Sequence, residues 1–73
     1  MRIETRNSVY VIGATGEQIT LTKLREIRPS DFAAVGEIFY GTNLSLVIGE
    51  RCELRGNNDY LVISTSPVVK VSP

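Results

Sequence analysis

The sequence predicts an all-β domain: a small, strongly bent β-barrel or two-layer antiparallel sheet of six to seven short strands with one short helix or 3₁₀ turn. Three observations lead there. Apolar residues fall mostly in short runs that alternate with polar ones, the period of a half-buried strand. Clusters of Gly, Asn, Asp and Ser separate these runs, so the connections are local. Only one stretch, after Leu24, shifts to a helical period. The 73 residues make one domain, 1–73, with no repeat, linker or low-complexity segment.

In the first strand Ile3 and Thr5 share a face, with Arg2, Glu4 and Arg6 facing out. Asn7-Ser8 is a turn, and Val9 to Ile12 follows as a strand with Val9 and Val11 as its apolar face. Gly13-Ala14-Thr15-Gly16 connects it to Gln18–Thr22, where Ile19 and Leu21 point inward. Leu24 and Ile27 are three apart, Pro29 breaks the chain, and Ser30 caps the run Asp31 to Val35 before Gly36. This is the short helix, with Phe32 and Val35 against the sheet. Ile38 to Tyr40 begins another strand, ended by Gly41-Thr42-Asn43.

Between Leu44 and Leu54 the even positions are apolar except at Glu50. A single strand bent at Gly49 fits, and so does a hairpin turning at Gly49-Glu50; the unbroken parity favours the bent strand. Gly56-Asn57-Asn58-Asp59 is the strongest turn signal. Tyr60 to Ser66 carries Leu61 and Ile63 on one side, Tyr60 and Val62 on the other, as a central strand does. Pro67 interrupts the ladder, and Val68 to Ser72 resumes it as an edge strand.

Composition excludes much chemistry. The chain has no histidine, no tryptophan and one cysteine. General acid–base catalysis near neutral pH most often uses histidine, and a structural zinc site needs about four Cys or His ligands. No enzyme activity, metal or cofactor is expected. Eight Lys/Arg balance eight Asp/Glu, which argues against nucleic acid, whose binders usually carry a basic surplus. The longest apolar stretches, Leu46-Val47-Ile48 and Leu61-Val62-Ile63, fall far short of the ~20 residues that span a bilayer. Met1-Arg2-Ile3-Glu4 offers no apolar signal region, and a lone thiol suits a reducing compartment, so a cytoplasmic location is expected. A small β domain without internal staples leans on an oligomer or a partner.

Each candidate site has a plain reading beside the functional one. Gly13–Gly16 resembles a phosphate loop, but Glu17-Gln18 replaces the required Gly-Lys-Ser/Thr, so a hairpin loop is expected. Lys23, Arg25 and Arg28 form the one basic cluster, a candidate nucleic-acid contact or a solvated rim. Tyr10, Tyr40 and Tyr60 are stacking candidates that as strand residues are expected to pack. Cys52, in phase with Leu44, Leu46, Ile48 and Leu54, is expected to be a core residue. Glu50 breaks the apolar face and either faces water or pairs at an interface. Asn57-Asn58-Asp59 has too few carboxylates for calcium. Val68, Val69 and Val71, with Glu50, are the candidate interface, because an edge strand guarded only by Lys70 invites pairing.

Met1-Arg2-Ile3-Glu4-Thr5-Arg6-Asn7-Ser8-Val9-Tyr10 and Ser64-Thr65-Ser66-Pro67-Val68-Val69-Lys70-Val71 resemble the two ends of a group of small uncharacterised proteins of actinobacteria and their phages. The resemblance covers about a third of the chain; the middle lacks the long Pro/Gly-rich connection and the tryptophan of that group. It implies no activity and no functional residues, only a phage or mobile-element accessory protein. The function expected is a non-enzymatic accessory module acting through protein–protein contacts, as a homo-oligomer or with a protein partner. The alternative is a nucleic-acid-binding β-barrel using Lys23, Arg25 and Arg28.

Overall fold

The alternating runs form seven antiparallel strands: β1 (Arg2–Thr5), β2 (Ser8–Thr15), β3 (Gln18–Glu26), β4 (Ile38–Gly41), β5 (Asn43–Ser45), β6 (Arg51–Arg55) and β7 (Leu61–Ser72). The computed structural model describes residues 1–29 and 33–73. The strands are hydrogen-bonded in the order β4-β3-β2-β1-β7-β6-β5, and the sheet curls until β4 approaches β6 and β7. The result is the small, strongly bent all-β sheet that the alternation predicts, a curled half-barrel. Its inner face holds Ile3, Tyr10, Leu21, Cys52, Leu54, Ile63 and Val68. Burying this set out of water is the main force holding the curl.

Four local expectations are corrected. The helix placed on Asp31–Val35 falls partly on residues 30–32, outside the described residues; Ala33 to Gly36 form a bend and a turn. Among the described residues the helical element is instead a 3₁₀ turn at Asn57–Asp59, where Asn58 and Asp59 both have positive φ. In β2 the inner face is Tyr10 and Ile12, not Val9 and Val11. Both parities of that run are apolar, and pairing of Ile3 with Tyr10 decides which one points inward.

The third correction concerns Leu44–Leu54, which is a hairpin. Leu44 pairs with Leu54 and Ser45 with Glu53. Glu50 N–H donates to the Val47 carbonyl at 3.1 Å, with Gly49 at φ +94 between them. A left-handed residue at that place in a turn is the usual role of glycine. Even residues pair with even ones across this hairpin, so they share a face with or without the turn. Parity cannot separate the two folds.

The fourth is β7, which is one continuous strand lying between β1 and β6 and does not end the sheet. Its first half pairs with β6 as far as Arg51↔Pro67, and its second half with β1 from Thr5↔Val68 to Arg2↔Ser72. Pro67 sits where the partner changes. Its carbonyl accepts from Arg6 N–H at 3.0 Å, and having no N–H it ends the β1 ladder without stranding a donor. Buried hydroxyls complete the crossing. Asn7 N–H donates to Ser66 Oγ (3.1 Å), Ser66 Oγ–H to Thr5 Oγ1 (2.8 Å), and Cys52 N–H to Thr65 Oγ1 (3.1 Å).

Candidate functional site

Two β-bulges shape the outer face of β7-β1-β2-β3. In the β1–β7 ladder Glu4 pairs with Lys70 but Thr5 pairs with Val68, so Val69 is an extra residue. In the β2–β3 ladder Val9 pairs with Arg25 but Tyr10 pairs with Lys23, so Leu24 is extra. A bulge re-aims a side chain that strict alternation would point elsewhere. Here each one sets an apolar residue, close to half exposed, beside an exposed cation: Leu24 beside Arg25, and Val69 beside Lys70.

Two hollows lie on this face and share Glu4. The first, about 330 Å³, is lined by Arg2, Arg25 and Lys70 with Val9 and Leu24; the second, about 410 Å³, by Arg6 and Arg28 with Ile27 and Val69. Five of the chain's eight Lys/Arg therefore ring one surface, with Glu4 the one carboxylate among the described lining residues. Among the described residues the ion pairs are Lys23–Glu26, Arg55–Glu53 and Arg55–Asp59, and none takes in these five cations or Glu4. A chain of zero net charge thus carries a locally basic face.

The basic cluster expected at Lys23, Arg25 and Arg28 is only partly there. Arg25 and Arg28 are exposed, but Lys23 is 0 % exposed and cannot reach an external phosphate. Lys23 shares the inward parity of Ile19 and Leu21. Its Nζ donates to Glu26 Oε1 at 2.9 Å and to the Ala33 carbonyl at 2.7 Å. Arg2, Arg6 and Lys70 take its place on the surface, from strands the sequence alone does not bring together.

Tyr10 is buried in the core, whereas Tyr40 and Tyr60 are exposed and far from packed. Gly13 and Ala14 belong to β2, and the hairpin turns at Gly16-Glu17 with Gly16 at φ +59. Glu50 is exposed on the β5–β6 turn. Val68 is 1 % exposed and belongs to the core, so it cannot meet another chain; Val71 also packs inward, and only Val69 of the three is on the surface. Among the described residues no cluster of His, Cys, Asp and Glu could hold a metal, and no helix is long and apolar enough to cross a membrane. Thr5 Oγ1 donates to the Ser8 carbonyl, Ser66 Oγ to Thr5 Oγ1 and Thr65 Oγ1 to the Ser66 carbonyl, so these hydroxyls donate to a carbonyl or to another hydroxyl rather than to a general base.

Cys52 is fully buried, and burial, with the Glu53 carboxylate adding to it, raises its thiol pKa to about 11. Native protein should react with a thiol reagent only as fast as it opens, and rapid labelling would remove Cys52 from the core. Cys52→Ala is expected to cost about 1–2 kcal/mol through a small cavity. The folded state favours the neutral thiol, so its contribution is whole below pH 9.0 and is lost as pH rises toward about 11. The slope is at most about 1.4 kcal/mol per pH unit in that window. Denaturant midpoints of wild type and Cys52→Ala should converge across it.

The chain matches no known family, curated protein or solved structure. Its function is therefore read from geometry. The face built by the two bulges is suited to binding anionic groups over an apolar floor.

Proposed function

We propose that this chain is a non-enzymatic accessory module that acts by binding protein, first of all a second copy of itself through β4. One observation carries this reading. β4 ends the sheet, contains no charged residue from Ile38 to Gly41, and leaves Ile38 47 % and Tyr40 48 % exposed. Sheet edges in monomers are normally shortened, charged or covered, because their free N–H and C=O groups template another strand. β5, at the other end, is shortened to three residues, Asn43–Ser45. β4, at four residues, is only slightly longer, and among the described residues its one further tie is that of Thr42 N–H to the Arg55 carbonyl just past its end, at 2.8 Å. A domain of this size also gains much from area that its own core cannot supply. The resemblance of the two chain ends to small actinobacterial and phage proteins supports an accessory role of phage or mobile-element origin.

Light scattering across a concentration series tests this. A dimer or larger symmetric assembly is expected, and Tyr40→Lys, which puts a cation on the open edge, should shift it to monomer while the far-UV spectrum is kept. A strict monomer at high micromolar concentration would overturn the reading.

A further inference from the structure

We infer that the outer face of β7-β1-β2-β3 is a second docking surface, and that its partner is an acidic protein segment bearing apolar side chains. The inference rests on the reading of the chain as a protein-binding module but uses none of the residues of β4. Charge complementarity sets the sign of the partner. Arg2, Arg6, Arg25, Arg28 and Lys70 are exposed, without ion pairs among the described residues, and face one carboxylate, Glu4. Unpaired like charges held together repel one another and lower the stability of the free chain, and an anionic partner relieves that.

The floor sets the partner's class. Leu24, Ile27 and Val69 lie among the cations, each close to half exposed, and two of them are placed there by bulges. Apolar side chains at those positions contribute only if the partner brings apolar groups to cover them. A nucleic-acid strand would bring phosphates and flat bases. Single-strand binders meet the bases with aromatic side chains, and among the described residues no aromatic one lines either hollow; the Tyr10 ring lies on the opposite face. Glu4, shared by both hollows, would also stand against a continuous row of phosphates. A peptide can instead alternate its carboxylates with leucine-like side chains and set a backbone N–H against Glu4.

Three probes decide it: a short peptide of glutamates with leucine at every third position, the same peptide with serine for leucine, and an oligothymidylate of equal charge. Each is titrated into the full chain at low and at physiological salt. The leucine peptide should bind most tightly, at least about tenfold better than the serine peptide, and should keep part of its affinity at higher salt. Arg25→Glu with Lys70→Glu should weaken it more than about tenfold while the far-UV spectrum is kept, since none of the ion pairs among the described residues takes in these cations. Arg2→Glu with Arg6→Glu is a second pair with the same expectation. Leu24→Ser should cost the leucine peptide its advantage and leave the serine peptide unchanged. The inference is overturned if the oligothymidylate binds as tightly as the leucine peptide, if neither peptide binds at low salt, or if both charge-reversed pairs bind normally. Self-association through β4 is read separately by scattering, so either surface can fail alone.

Discussion

Lys23→Ala is expected to destabilise the fold by about 3–4 kcal/mol, although a lysine in a basic-looking stretch would ordinarily be replaced at no cost. The side chain is fully buried on the inner face, in line with Leu21 and opposite Tyr10. Truncation removes buried methylenes worth about 0.8 kcal/mol each and leaves a cavity. It also takes the donor from the Ala33 carbonyl, at 2.7 Å, a loss of about 1 kcal/mol or more for a buried group. A domain of this length has about 4–11 kcal/mol in total, so the loss is a large fraction. Lys23→Met separates packing from charge. It keeps most of the stem and removes an ammonium whose desolvation offsets much of its pairing with Glu26. Its loss should stay below about 1.5 kcal/mol. Urea midpoints at constant slope measure both, and equal losses for Ala and Met would show that the ammonium, not the stem, is what matters.

Gly41→Ala is expected to cost about 3 kcal/mol, at the upper end for overpacking, from the addition of one methyl group. Gly41 closes β4 at the point where the curl brings it against β6. A Cβ there would stand 2.7 Å from Leu54 Cγ and 2.8 Å from the Arg55 carbonyl oxygen. The leucine is fully buried and the oxygen is backbone, accepting from Thr42 N–H, so neither can step aside cheaply. Relief must come from opening the contact between β4 and β6. Gly16→Ala is the control, because a Cβ there meets nothing within 4 Å and only the positive φ is strained, for about 1 kcal/mol. Similar midpoints for the two variants would mean that the contact between β4 and β6 is looser than this geometry requires.

The local features were legible. Short apolar runs marked β1 to β4, and the strongest turn signal, Gly56 to Asp59, is the connection between β6 and β7. Cys52 fell in phase with its apolar neighbours and is in the core. Lys23 could have been placed as well, since it shares the parity of Ile19 and Leu21; its charge suggested a surface position, and the stem, with two partners for its Nζ, outweighed that. The bulges also leave a trace. Val68 and Val71 both point inward although they are three apart, which a regular strand does not allow.

The sequence by itself determined the class of fold, the approximate positions of β1 to β4 and the core membership of Cys52, because these follow from short apolar runs and from turn chemistry within a few neighbours. Only the tertiary structure decided which strands are neighbours. That choice made β7 a central strand and β4 an edge, and it turned Leu44–Leu54 into a hairpin. It also gathered Arg2, Arg6, Arg25, Arg28 and Lys70, from β1, β3, β7 and the residues beside them, onto one face. The physical reason is that pairing partners are set by long-range register and by closure of the curl around one shared core, and neither leaves a mark in local alternation.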